Sequence, residues 1–274
     1  MQLPELKCSR LDIAENGVAT FTMARPDALN AISIDLRNDF HRMVEFADGN
    51  EAIKALVLTG EGRAFCAGGD VTNMTNRLDS GPGAARQSIL DVHVWLERLL
   101  NIDCPVISAV NGLAFGGGFS VALMADLVFA APNARFCAVF SRIGLMPDMG
   151  LAYTLPRAVG PSMAKDLMFT GRSVSAAEGK ELGFVHTVTA EGEDVVTAAQ
   201  HYAGKLAQGP KTYVALTKRL VNKTFQSNYT DIAAAEADGQ TLLFGSQFSQ
   251  EAIRRFLGKE PALYNWDQME RAAE

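Results

Sequence analysis

Apolar and polar positions along the chain follow two periods, and the change between them divides it. Near the start, "CSRLDIAE" and "GVATFTMA" read as two strands around Asn16-Gly17, a dipeptide that favours a tight hairpin turn. Ser33 then precedes "IDLRNDFHRMVEFAD", with apolar residues at Ile34, Phe40, Val44 and Ala47 at helical spacing, so the pattern predicts a helix capped by Ser33. "IKALVLTG" is continuous, apolar and β-branched, as a strand buried on both faces should be. A polar stretch from Thr72 to Arg86, containing glycine and proline, predicts a mobile loop. Next come a helix, "SILDVHVWLERLLN", and a second buried strand, "CPVISAVNG". Two short strands follow, "DLVFAA" and "ARFCAV", joined by a Pro132-Asn133 turn. From Pro161 onward the helical period dominates, interrupted by one strand, "VHTVTA". The layout is an α/β core followed by a helical C-terminal part.

Composition narrows the function classes. A chain of 274 residues with 48% hydrophobic content can bury a substantial core. A net charge of -6 without a basic block argues against a nucleic-acid surface. No apolar run approaches the length of a membrane span, and the first residues lack the apolar core of a secretion signal or the Arg-rich pattern of an import signal. Cys8, Cys66, Cys104 and Cys137 form no CxxC pair, and the four histidines are dispersed, so buried thiols in a reducing compartment and no metal site are expected. The expected location is the cytoplasm.

The chemistry concentrates in two glycine stretches. "NGLAFGGGFSVALMAD" runs from a strand through Gly116, Gly117 and Gly118 into a helix. It is not a P-loop, since Phe119-Ser120 follows the glycines instead of Lys-Ser/Thr. It lacks the spacing of a dinucleotide fingerprint and the closing glycine of a nucleophile elbow. What remains is a set of uncovered N–H groups at a helix start, suited to an anion or developing oxyanion, or else a close helix–strand contact. A second strand end, "VLTGEGRAFCAGGDV", delivers Gly68 and Gly69 before Asp70. Two such ends can supply both donors of an oxyanion hole.

Four segments in order, "RPDALNAIS", "AFCAGGD", "NGLAFGGGFSVALMADLVFAA" and "LPRAVGPSMAKDLMFTG", resemble the enoyl-CoA hydratase/isomerase (crotonase) superfamily. The resemblance runs from about Leu11 to Trp266. It implies an α/β fold of the crotonase (ClpP-like) type: a spiral of ββα units over residues 1–200 as acyl-CoA-binding catalytic core, and a helical trimerisation region over 201–274. It also implies a homotrimer or dimer of trimers, an acyl-CoA thioester substrate, and no separate cofactor, coenzyme A being part of the substrate. By position, the family's oxyanion donors fall on the N–H groups of Gly69 and Gly117.

The two glutamates of the family's hydratases correspond here to Ser120 and Phe140, neither of which can do carboxylate acid/base work. "FSRIGLMPDMG" instead carries Asp148, where several members place a single catalytic acid. The run "FCAVFSRIGLMPD" is most similar to the 1,2-epoxyphenylacetyl-CoA isomerase and Δ3,Δ2-enoyl-CoA isomerase group. Asp148 can also be read as the N-cap of a helix over "GLAYTLPRAV". Phe140, Ile143, Leu145, Met146 and Met149 surround it in sequence, and Phe140 and Phe115 are candidates either for the acyl pocket or for the core. The resemblance further places Phe256 and Lys259 near the CoA moiety, Ala67 and Gly68 against its adenine, and Thr72 where some members have a phosphate-binding lysine. The implied activity is a 1,3-proton shift or an epoxide rearrangement. Alternatives are an acyl-CoA binder that has lost hydratase chemistry, and a dehalogenase or hydrolase using Asp148 as nucleophile.

Overall fold

A computed structural model describes residues 2–70 and 81–271. β1 (Ser9–Ile13) and β2 (Val18–Met23) form the expected antiparallel hairpin, with Ser9 opposite Met23 and Ile13 opposite Ala19. Gly17 takes φ +84° in its turn, a conformation open to glycine. Ser33 caps α1 (Ile34–Ala47), its hydroxyl accepting the Leu36 N–H at 3.1 Å. Ile34 is not on the buried face of this helix: it is 59% exposed, and the face that packs inward is Leu36, Phe40, Met43, Val44 and Ala47.

The chain then steps repeatedly between two sheets. β3 (Ala55–Gly60), β5 (Val106–Val110) and β7 (Leu127–Ala130) join the hairpin in a six-stranded sheet, parallel from β2 onward. Each is followed within a few residues by a shorter strand of a second sheet: β4 (Ala64–Cys66), β6 (Leu113–Phe115) and β8 (Arg135–Cys137). "DLVFAA" and "ARFCAV" are thus neighbours in sequence but members of different sheets. The corners need bare backbone. A Cβ on Gly112, between β5 and β6, would stand 2.1 Å from the Arg63 carbonyl oxygen.

Helices close the turns of the spiral: α2 (Gly81–Leu100) precedes β5, and α3 (Gly117–Ala122) follows β6. The loop expected over Thr72–Arg86 lies outside the described residues up to 80, and from Gly81 the chain is already helical. After β8 come α4 (Leu151–Val159), α5 (Pro161–Thr170) and a strand absent from the sequence reading, β9 (Ser173–Ser175), antiparallel to β8. Its three residues are too short to show a period. α6 (Ala176–Leu182) leads to β10 (Thr187–Val188), the two-residue remnant of "VHTVTA", which pairs with β7.

Two cores result. Phe40 stacks on Trp95 at 4.7 Å between ring centres and tilts against Phe21, tying α1 and α2 to the large sheet. On the opposite face Val57, Ile107, Ala109 and Phe129 pack against Val195, Ala199 and Ala203 of α7 (Val195–Leu206). The boundary expected at residue 200 falls inside this helix, which is part of the core; the helices that leave the sheet begin after it. These are α8 (Lys211–Lys223), α9 (Tyr229–Phe244), α10 (Gln247–Leu257) and α11 (Trp266–Arg271).

A buried charge pins α8 to the core. The Lys218 ammonium donates to the Asp126 carboxylate at 2.9 Å and to the Cys104 carbonyl at 3.2 Å, while Asp126 also accepts the Val106 N–H at 2.7 Å. The lysine side chain is 5% exposed and the aspartate 30%, so the pair stands between the buried and exposed cases. Lys218→Met should cost about 1–3 kcal/mol. A thermal melt checks this: the midpoint should fall by several degrees, and an unchanged melt would show that the pair does not hold the helix.

Candidate active site

The two glycine stretches come together where β4 and β6 end. Beyond β4 the backbone forms one bridge with Ile32: the Ile32 N–H donates to Gly68 O at 2.8 Å, and the Asp70 N–H to Ile32 O at 3.3 Å. In a parallel bridge of this kind the residue between those two partners turns its own N–H to the other side. That residue is Gly69, so its amide faces away from Ile32. Gly117 is the first residue of α3, where an N–H has no partner within the helix and the helix dipole is positive.

Close approach requires the glycines beside them, Gly68 and Gly118. A Cβ on Gly118 would lie 2.0 Å from Cys66 O, and one on Gly68 would lie 2.8 Å from Phe115 O and 3.5 Å from the Gly117 nitrogen. Gly68 also has φ +103° and donates its N–H to the Cys66 sulfur at 3.5 Å. Burial pushes the Cys66 thiol up to about 12, so it stays neutral at this corner. The close-contact reading of the glycines therefore holds: they allow strand and helix to touch, and the contact sets two strand ends side by side.

Residues that the sequence reading left unassigned hold the Gly69 loop. Asn30, fully buried at φ +56°, accepts the Arg25 N–H at 2.9 Å and donates to Ala64 O and Glu61 O. Arg25 donates to Ala31 O at 2.6 Å and, through two nitrogens at 3.1 Å, to the Asp70 carboxylate. This fork clamps the turn before Ile32 to the residue after Gly69. Arg25 and Asp70 are 45 positions apart, a separation that no local pattern reveals.

Asp148 reaches the same corner from the other side. It is half-buried and does not cap α4: the N-cap is Gly150, without a side-chain bond, and Asp148 contributes its carbonyl to the Leu151 N–H at 3.2 Å. The cap reading is thus corrected, because Met149 (φ +52°) and Gly150 (φ +85°) turn the chain before the helix begins. The Met149 side chain lies over the start of α3; its sulfur is 2.8 Å from where a Gly117 Cβ would be. Ser120, on α3 and fully buried, donates its hydroxyl to Asp148 O at 2.9 Å.

Among the candidate pocket residues, Phe140 is 7% exposed and belongs to the core, yet its ring tip lies 3.9 Å from the position of a Gly116 Cβ. Phe115 is half-buried at the end of β6, and Ala67 is half-buried with its N–H on Leu29 O. Ile143, Leu145 and Met146 are exposed, forming an apolar run between Phe140 and Asp148. Phe256 and Lys259 lie at the end of α10; both are exposed, and Phe256 borders a separate cavity of about 470 Å³ lined also by Tyr213, Phe248 and Tyr264. Thr72 lies outside the described residues. No described helix is long and apolar enough to cross a membrane.

This corner of two glycine-bearing strand ends is built from segments that a family model spans. The model described as enoyl-CoA hydratase/isomerase matches residues 13–268. The chain belongs to the enoyl-CoA hydratase/isomerase family. Within it, the chain is 34% identical over 251 residues to the 1,2-epoxyphenylacetyl-CoA isomerase of Escherichia coli K12, covering 91% of this chain and 95% of that one. It is 32% identical to the short-chain-enoyl-CoA hydratase of Clostridium acetobutylicum, over 89% of this chain and 93% of the relative. The crystal structure of an enoyl-CoA hydratase/isomerase from Cupriavidus metallidurans CH34 superposes with a TM-score of 0.89 at 34% identity, covering 96% of this chain and 98% of that one. The two-sheet spiral is therefore the crotonase fold, and this family member is an enzyme of the hydratase/isomerase type acting on acyl-CoA.

Proposed function

We propose that this member of the family is an isomerase, moving a double bond by 1,3-proton transfer or rearranging a ring-epoxide CoA thioester. The observation that carries the reading is the charge inventory at the corner. The positions of the two hydratase glutamates hold Ser120, whose hydroxyl is committed to Asp148 O, and Phe140, which is apolar. Asp148, whose main-chain carbonyl is bound by Ser120 of α3, supplies a carboxylate on this segment. A relative named as an epoxyphenylacetyl-CoA isomerase supports the same direction.

In this reading the thioester oxygen accepts the Gly69 and Gly117 N–H groups. Asp148 removes a proton from the carbon between the carbonyl and a 3,4-double bond. The C–H electron pair forms the C1–C2 double bond of a dienolate that keeps its C3–C4 double bond, and the carbonyl π pair moves onto the oxygen between the two amides. Asp148 then returns the proton two carbons further on, and the enolate collapses to the conjugated thioester. One base serves both steps, taking the proton in the first and returning it in the second. For a ring epoxide the same acid assists opening and rearrangement. The exposed apolar run Ile143, Leu145 and Met146 gives the acyl group a surface to cover.

The hydratase reading has its own support in relatives bearing that name. It requires two groups to activate and deliver water, and Ser120 and Phe140 supply neither. Assayed side by side, 3-enoyl-CoA should be isomerised while hydration of 2-enoyl-CoA stays near background; the reverse order of rates would favour the hydratase. Mass spectrometry of stalled turnover separates a further rival, since an acyl group on Asp148 would mark a nucleophile instead of a base.

Assembly belongs to the same proposal. α9 has no buried residue in the single chain, and Tyr229, Leu242, Phe244, Phe256 and Leu257 on the C-terminal helices are each more than 60% exposed. Such an apolar surface is suited to subunit contacts. Light scattering at micromolar concentration should give three or six times the 29.5 kDa chain mass, and a monomer would contradict the assembly.

A further inference from the structure

We infer that Ser120 is a positioning residue, fixing the Asp148 main chain against α3 and so setting where the carboxylate stands relative to the thioester. The inference rests on the reading of Asp148 as the base.

Three observations lead to it. First, the Ser120 hydroxyl is fully buried and has two carbonyls within reach, Asp148 O at 2.9 Å and Gly116 O at 3.2 Å. Gly116 O already accepts the Ser120 backbone N–H at 3.0 Å, as a helix carbonyl should, so the shorter bond to Asp148 is the one the hydroxyl adds. Second, the segment it grips lacks a regular ladder of its own. Met149 and Gly150 both sit at positive φ, and α4 starts only at Leu151. A non-glycine residue in that region is strained and persists only where its surroundings impose it. Third, the surroundings that impose it belong to α3 and its C-terminal end. The Met149 sulfur lies over Gly117, and the Met124 methyl fills the space a Gly150 Cβ would need, 1.9 Å from that position. Ser120 adds a directional hydrogen bond to these two apolar contacts. Gly117 and Ser120 share one short helix, so the donor of the hole and the grip on the base move as one body.

The test combines exchange with kinetics. In Ser120→Ala, the peptide covering Leu145–Tyr153 should exchange its amide hydrogens for deuterium faster than in the wild type, since Asp148 O loses the Ser120 hydroxyl. With 3-enoyl-CoA, kcat should fall about 10- to 100-fold, the scale of a misplaced catalytic group. Binding of butyryl-CoA, which has no double bond to move, should change less than about twofold, because that interaction engages the hole and not the base. Ser120→Cys, of similar size with a weaker S–H donor, should fall between wild type and Ala. Ser120→Ala combined with Asp148→Asn should be no slower than Asp148→Asn alone, since a residue acting through Asp148 has nothing left to position. Unchanged exchange, or losses that multiply in the double variant, would overturn the role of Ser120 and leave the base assignment standing. Full turnover in Asp148→Asn alone would overturn the base assignment, and the role of Ser120 with it.

Discussion

Asp148→Asn should leave the protein folded and able to bind acyl-CoA, while isomerisation falls by about 10²–10⁴-fold. The expectation follows from what the main chain of Asp148 holds. Its contribution to α4 is a backbone carbonyl, which Asn keeps, and the cap position belongs to Gly150. Ser120 likewise binds the carbonyl of residue 148, not its side chain. Asn is nearly the size of Asp but cannot accept a carbon-bound proton and return it. The diagnostic pattern is a lower kcat with an unchanged melting temperature and unchanged affinity for a saturated acyl-CoA. A variant that melts early would assign Asp148 to structure; one that turns over normally would remove it from the mechanism.

Gly117→Val should be as damaging for a different reason. A Cβ at this position meets the Met149 sulfur at 2.8 Å and the Ile32 Cδ1 at 3.1 Å, and the branched methyls of valine reach further into the same space. Ile32 is the residue that bridges to the Gly69 loop, and Met149 adjoins Asp148. The substitution therefore disturbs the hole and the base together, besides obstructing the thioester. Loss of one such donor costs about 10²–10³ in kcat, and here acyl-CoA affinity should drop as well. The chain is not forced through positive φ at Gly117, so the effect is one of space, not backbone strain. Gly118→Ala separates packing from chemistry: its Cβ would stand 2.0 Å from a backbone oxygen, so that variant should fail to fold, whereas Gly117→Val should fold and fail to turn over. Wild-type kinetics in Gly117→Val would make Gly117 a spacer and nothing more.

Local signals in the sequence carried far where the physics is local. The Asn16-Gly17 hairpin, the Ser33 cap and the buried run through Leu56, Val57 and Leu58 are each determined by neighbours a few residues away. The glycines at 68 and 116–118 announced close approach, since a Cβ at any of them would crowd a neighbouring atom. What was not legible depends on distant partners. Ile34 has the right period but lies at the outward start of α1, and only the position of the sheet decides which face is buried. Asp148 follows a proline before a helical run, which mimics an N-cap; the positive φ of Met149 moves the helix start past it. The Ser120 grip spans 28 residues and the Arg25–Asp70 fork 45, and neither leaves a trace in spacing or composition.

The central claim is that one carboxylate moves one proton across an enolate held by two amides. Incubating the enzyme with 3-enoyl-CoA in D2O, and following both double-bond position and deuterium by mass spectrometry and NMR, tests it directly. The account predicts conversion to the 2-enoyl thioester, with deuterium at C2 and C4 to the extent that the Asp148 proton exchanges with solvent during the enolate's lifetime, and with both the conversion and the exchange lost in Asp148→Asn. Tight binding of 3-enoyl-CoA with neither double-bond movement nor deuterium at carbon would contradict it.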